Sequence, residues 1–158
     1  MQQHDFKCSL TADVTASQAL EGISRVSEWW SSDFEGRARD AGDIFTVRFG
    51  ETFVTFKIVD AVPGAGVAWK VLDSRLPWLA DDNEWNGTTV CWNVSSKGDA
   101  TEVTLTHVGL VPEIECYERC KEGWTFFATE SLAKFMADGK GLPNRRPNHE
   151  SRVAASVA

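Results

Sequence analysis

The hydrophobic period of this chain changes once, and that change limits the fold more than any other feature. From Glu35 to Gly109 the apolar residues recur at every second position. Phe45, Val47 and Phe49 share one face, as do Val54, Phe56 and Ile58, and then Val67, Trp69 and Val71. Val90, Trp92 and Val94 follow, and finally Val103, Leu105 and His107. The alternate positions carry Thr46, Arg48, Thr55, Lys57, Lys70, Asn93, Thr104 and Thr106. Such alternation predicts five or six antiparallel strands with one apolar face and one wet face. Gly36, Gly42, Gly50, Pro63-Gly64-Ala65-Gly66 and Gly98-Asp99 punctuate them. Ser74 to Glu84, with Pro77-Trp78 and Asp81-Asp82, breaks the alternation and is expected to be a mobile loop.

After Gly109 the period becomes helical. Ile114, Tyr117, Cys120 or Lys121, Trp124, Phe127 or Ala128, Ser131 or Leu132, and Phe135 recur at three and four. Pro112 suits the first helical position, Glu113 and Glu115 suit the positive end of the helix dipole, and Gly139 suits the stop. A helix of about 27 residues, roughly 40 Å long, is expected. Gly123 is expected to soften its middle. Before the sheet, Phe6 to Ala12 alternates as a strand, and Thr15-Ala16-Ser17-Gln18 is a capping box opening two short helices or one kinked helix.

The order of elements is therefore strand, short helices, sheet, long helix. Only the long helix is large enough to cover the apolar face of the sheet. The expectation is an α+β helix-grip fold: a curved antiparallel sheet wrapped around a long C-terminal helix, with a cavity between them. One domain over residues 1–139 and a disordered tail over 140–158 complete it.

Composition sharpens the question of what the fold encloses. The chain has seven Trp and nine Phe but one Tyr in 158 residues. Sorted by period, Trp69 and Trp92 point inward from strands and Trp124 from the helix. Indoles are broad flat walls with one N–H donor, suited to ring-shaped ligands. Trp30 and Trp85 are placed at the mouth, Phe49, Phe56 and Phe127 complete the lining, and Trp78 is a lid residue or an exposed ring. Ordinary core packing could use the same rings.

A net charge of −7 excludes nucleic acid and anionic membrane surfaces as natural partners. No apolar run reaches the length of a membrane span, and no secretory signal is visible, so a cytoplasmic location is expected. Cys8, Cys91, Cys116 and Cys120 are then expected to be reduced. Zinc on Cys116 and Cys120 would need two further ligands, so no metal is expected. No phosphate loop, nucleotide fingerprint or hydrolase serine motif occurs, and no cofactor is expected.

The segments Glu84-Trp85-Asn86-Gly87-Thr88, Leu105-Thr106-His107-Val108-Gly109-Leu110-Val111-Pro112 and Glu115 to Trp124, continuing through Ser131-Leu132, carry a resemblance. So do Trp29-Trp30, Phe49-Gly50 and Val62-Pro63-Gly64. Over residues 5–143 the chain resembles bacterial single-domain proteins related to the heat-shock-protein-90 ATPase activator. These belong to the START and birch-pollen-allergen-like superfamily, SRPBCC. The resemblance implies the helix-grip fold, a link to stress response and a chaperone partner. It brings no shared catalytic set, because that superfamily includes lipid carriers, hormone sensors, polyketide cyclases and co-chaperone domains.

His107 is the candidate acid, base or ligand contact, inward and neutral near pH 7. Its other reading is a histidine that bonds the helix and closes the last strand. Glu84 or Glu115 would pair with it in an enzyme. A Cys–His nucleophile would draw on Cys116 or Cys120, but Glu113, Glu115 and Glu118 oppose thiolate formation, so inert thiols are expected. Three functions follow: a monomeric or weakly dimeric binder of a small apolar or aromatic ligand, a chaperone-activator-like interaction module, and a cyclase- or hydratase-type enzyme using His107. On the ligand reading, His107→Ala weakens binding of a polar-headed apolar molecule, measured against unchanged folding.

Overall fold

Alternation between buried and exposed side chains runs through every long strand of the computed structural model, which describes residues 5–77, 79–80 and 83–144. Strand β1 (Phe6–Ala12) is followed by α1 (Ala16–Ser24), α2 (Val26–Trp29) and β2 (Phe34–Gly36). Then come β3 (Ile44–Phe49), β4 (Thr52–Val62), β5 (Gly66–Arg75), β6 (Thr89–Lys97) and β7 (Ala100–Val108). Together they form one seven-stranded antiparallel sheet in the order β1-β7-β6-β5-β4-β3-β2. Phe45, Val47, Val54, Phe56, Ile58, Trp69, Val71, Val90, Trp92, Val94, Val103, Leu105 and His107 are buried on its inner face. Register shifts at Thr55/Phe56 and Ile58/Asp60 bend β4 against β5. Such irregularities increase local twist, which curves the sheet toward the helix.

The capping box forms as expected. The Gln18 N–H donates to Thr15 Oγ1 at 3.1 Å, and the Thr15 N–H donates to Gln18 Oε1 at 2.9 Å. Strand β5 reaches Arg75, so Ser74 belongs to the sheet, and Leu76 and Leu79 beyond it are buried. Trp78, Asp81 and Asp82 lie outside the described residues.

The long helix differs from expectation at its start. It runs as α3 (Tyr117–Phe126), a π-helical turn (Phe127–Leu132) and α4 (Ala133–Asp138), 22 residues in all. Pro112, Glu113 and Glu115 precede it in turns. The reason is tertiary. The Glu84 carboxylate accepts the N–H of Glu115 at 2.9 Å and of Cys116 at 3.0 Å, so a carboxylate from another loop holds two N–H groups just ahead of the first helical residue, Tyr117. The Glu115 carboxylate in turn accepts the Ala80 N–H at 3.1 Å. The helix runs unbroken past Gly123, and the irregular turn comes four residues later. Gly139 ends it in the left-handed conformation at φ 84°, as its position suggested.

Residues 140–144 do not leave the fold as a disordered tail. The Leu142 N–H donates to Ser131 Oγ at 2.7 Å. Asn144 forms a parallel bridge with Ser31, donating its N–H to the Trp30 carbonyl at 2.8 Å and accepting the Ser32 N–H at 2.7 Å. Gly141 is needed for this approach, since a Cβ there would stand 2.5 Å from the Glu28 carbonyl oxygen. Residues 145–158 lie outside the described residues.

Ser131 joins these parts. Its hydroxyl donates to the Trp29 carbonyl at 2.6 Å while accepting from Leu142. Ser131→Ala leaves the buried Trp29 carbonyl and the part-buried Leu142 N–H short of a partner and is expected to cost about 1–3 kcal/mol. Chemical denaturation reads that loss, and amide exchange at Leu142 is expected to rise.

Candidate functional site

A cavity of about 80 Å³ opens between the sheet and α3. Strands supply Phe49, Thr52 and Val54, the segments flanking the undescribed positions supply Leu76 and Trp85, and Trp30 follows α2. The helix supplies Arg119, Cys120, Gly123, Trp124 and Phe127. Besides indole N–H groups, Thr52, Arg119 and Cys120 bring polar groups among the described lining residues. A wider groove of about 350 Å³ runs between α1 and the β4–β5 turn. It has no aromatic wall, and its Glu21 and Arg39 side chains already pair with each other.

Of the nine residues expected to line a cavity, the structure brings five to it: Trp30, Phe49, Trp85, Trp124 and Phe127. Phe56, Trp69, Trp92 and His107 stand one layer behind, fully packed. Trp30 is the hub. Its ring centroid lies 4.8 Å from Trp124, 5.8 Å from Phe49 and from Phe56, and 6.2 Å from Trp69. Trp29 stacks behind it at 5.9 Å. Among the described residues Trp69 Nε1 and Trp92 Nε1 are buried without a hydrogen-bond partner. The sequence reading missed Arg119 as a lining residue. Arg119, Gly123 and Phe127 follow one another at i, i+4 and i+8, a helical row beside the apolar stripe, and that spacing was the available signal.

His107 is fully buried, and both its ring nitrogens are engaged inside the protein. Thr88 donates its hydroxyl to the Trp85 carbonyl at 2.7 Å. Thr88 Oγ1 must therefore accept from His107 Nε2–H, at 2.8 Å. His107 Nδ1 then accepts from Trp124 Nε1–H at 3.0 Å. The Trp85 ring stands edge-on to the imidazole, 4.6 Å away at 88°. Burial pushes the His107 pKa down from 6.5 to about 3, so the ring is neutral. The inward, neutral histidine is as expected, but it offers no free nitrogen to a ligand. It positions Trp85 and Trp124, two walls of the cavity. Glu84 and Glu115 bind backbone N–H groups and do not pair with it.

Cys116 and Cys120 are buried, and both sulfurs accept from Trp85 Nε1–H at 3.3 Å. The hydrogen bond between the thiols, then burial, pushes the Cys120 pKa well above its ordinary range. It is therefore held as a neutral thiol, unsuited to nucleophilic attack. Among the described residues no three His, Cys, Asp or Glu side chains gather as a metal site. No described helix is long and apolar enough to cross a membrane.

No family model and no curated protein matches the chain. Solved structures do. The Aha1 dimer from Colwellia psychrerythraea superposes with a TM-score of 0.71 at 20% identity, over 87% of this chain and 99% of that one. DynU16, from the dynemicin biosynthetic locus, gives 0.63 at 18% identity over 89% of this chain and 50% of its own. BH1534 from Bacillus halodurans gives 0.62 at 16% identity, over 86% and 99%. At these identities the likeness is one of fold.

The buried imidazole makes stability depend on pH. Its folded pKa lies below its unfolded one, so the unfolded chain takes up a proton first as the pH falls. Stability is complete above about pH 6.5 and is lost toward pH 3, by roughly 1.4 kcal/mol per pH unit. Denaturant titrations at pH 7.5 and 5.5 are expected to show this loss, and His107→Gln is expected to flatten it. An equal slope in the variant would remove His107 as its source.

Proposed function

We propose that this chain, built on the helix-grip fold of the SRPBCC proteins, binds a small apolar or aromatic molecule in the cavity between sheet and long helix. Gly123 carries the reading. It sits inside α3 and lines the cavity. A Cβ added there would meet nothing within 4 Å. Glycine in a helix interior costs about 1 kcal/mol relative to alanine. Neither close approach nor unusual backbone geometry calls for it here, and what its missing side chain leaves is space against Trp124.

The size of the cavity constrains the occupant. At about 80 Å³ it is smaller than the roughly 150 Å³ apolar cavity that accepts benzene. A ligand is therefore compact, and its entry moves side chains at the mouth, with half-buried Phe49 the readiest to turn. Arg119 on the exposed rim suits a polar head. An enzyme acting through His107 is disfavoured, because the network around that ring takes both nitrogens.

The alternative, a chaperone-activator-like module, draws on likeness to Aha1. That relative is a dimer, and a monomer or weak homodimer in the cytoplasm belongs to the same proposal.

A screen of small apolar and aromatic compounds by NMR chemical-shift change tests the reading, with shifts expected at Trp30, Trp85 and Trp124. Gly123→Ala is expected to raise stability by about 0.5–1 kcal/mol. Gly123→Leu is expected to weaken any hit at least about tenfold, the equivalent of 1.4 kcal/mol. Hits indifferent to Gly123→Leu would take the ligand out of the cavity, and a screen without hits would favour the interaction module.

A further inference from the structure

Cys116 and Cys120 play no part in that reading, yet their arrangement is specific. The Cys120 N–H donates to the Cys116 carbonyl at 2.8 Å, so one helical turn separates them on one face. Both sulfurs converge on a single indole nitrogen, Trp85 Nε1, each at 3.3 Å. Cys116 is wholly buried, and Cys120 reaches the cavity wall.

Three uses of a thiol pair can be compared by geometry. A disulfide needs Cβ atoms about 3.5–4.5 Å apart, whereas residues one helical turn apart hold theirs about 5–6 Å apart. A structural zinc ion needs four ligands in a tetrahedron, and these two thiols are not joined by a third such group among the described residues. A soft monovalent cation is content with two thiolates in line. Taking the zinc–thiolate length of about 2.3 Å as a guide, that unit spans roughly 4.5 Å, which a helical pair can match by rotating its side chains.

We propose that Cys116 and Cys120 form a two-coordinate site for a soft monovalent cation of the Cu(I) class, roofed by the Trp85 indole. The cation enters through the aromatic cavity, where Cys120 meets it first. Each sulfur forms one bond to the metal and releases one proton to solvent. The product is a bis-thiolate complex of charge −1, and no electron is transferred. Trp85 Nε1–H, aimed at both sulfurs, stabilises the charge that develops on them. Glu84 opposes it, with its carboxylate held on the Glu115 and Cys116 N–H groups beside the pair. Because each thiol releases a proton on binding, apparent affinity rises with pH.

The experiment is an anaerobic titration of the full chain with Cu(I) against a Cu(I)-selective chelator, followed by chelator absorbance and tryptophan fluorescence. A variant lacking Cys8 and Cys91 (both to Ser) removes the other two thiols. One equivalent is expected to bind in that background with quenching of tryptophan emission. Cys116→Ser and Cys120→Ser are each expected to weaken binding by more than about a hundredfold, beyond the 10–100-fold that a supporting outer group costs. Trp85→Phe, which keeps both thiols, is expected to fall within that smaller range. Cys120→Ala serves as a second variant, with circular dichroism confirming its fold. Binding that survives loss of Cys116 and Cys120, or that disappears with Cys8 and Cys91, would overturn the proposal.

Discussion

His107 stands where β7 meets the long helix, and its two nitrogens tie three parts of the chain together. Nε2–H reaches Thr88, whose hydroxyl holds the Trp85 carbonyl, and Nδ1 takes the Trp124 indole proton. The loop before β6, the last strand and the helix are thereby fixed to one another through a neutral ring. Such a chain in a low-dielectric interior is strong while every member is satisfied and costly once one is lost. The cavity depends on it, because Trp85 and Trp124 stack at 6.2 Å with planes 12° apart and form two of its walls.

Polar groups also decide where the helix can begin. Glu84 holds the N–H groups of Glu115 and Cys116, and Glu115 holds Ala80. This reciprocal clamp joins the segment around Trp85 to the helix start. It sets the height of Cys116 and Cys120 against the indole. Ser131 performs a similar task at the other end, where it joins Trp29 to Leu142 and closes residues 140–144 onto the fold. The π-helical turn falls between the two, so the rows of side chains before and after it need not share one ideal helical period.

The aromatic interior therefore has two layers of different use. Trp69, Trp92 and Phe56 are packing, held edge-on and tilted at centroid distances of 5.3–5.5 Å. Trp30, Trp85, Trp124, Phe49 and Phe127 face open space. The difference is a matter of strand position. Trp69 and Trp92 sit in central β5 and β6, whereas Phe49 sits at the end of β3, near the sheet edge, with its ring 6.0 Å from Phe127 of the π-helical turn.

Much of the architecture was legible in the residues alone. The alternation from Phe45 to His107 assigned the strands and their inner face, because side chains on a strand must alternate. The capping box, Gly139 and the helical stripe needed only local chemistry. Other features depend on partners distant in sequence. The helix starts five residues after Pro112, where Glu84 from another loop takes the Glu115 and Cys116 N–H groups ahead of it. Residues 140–144 are ordered because Ser131 and Trp30 receive them. Alternation correctly turned His107 inward, yet it could not say whether its nitrogens would meet a ligand or Thr88 and Trp124. Period determines which face a side chain takes. Which atom waits on that face is decided only when separate elements are brought together.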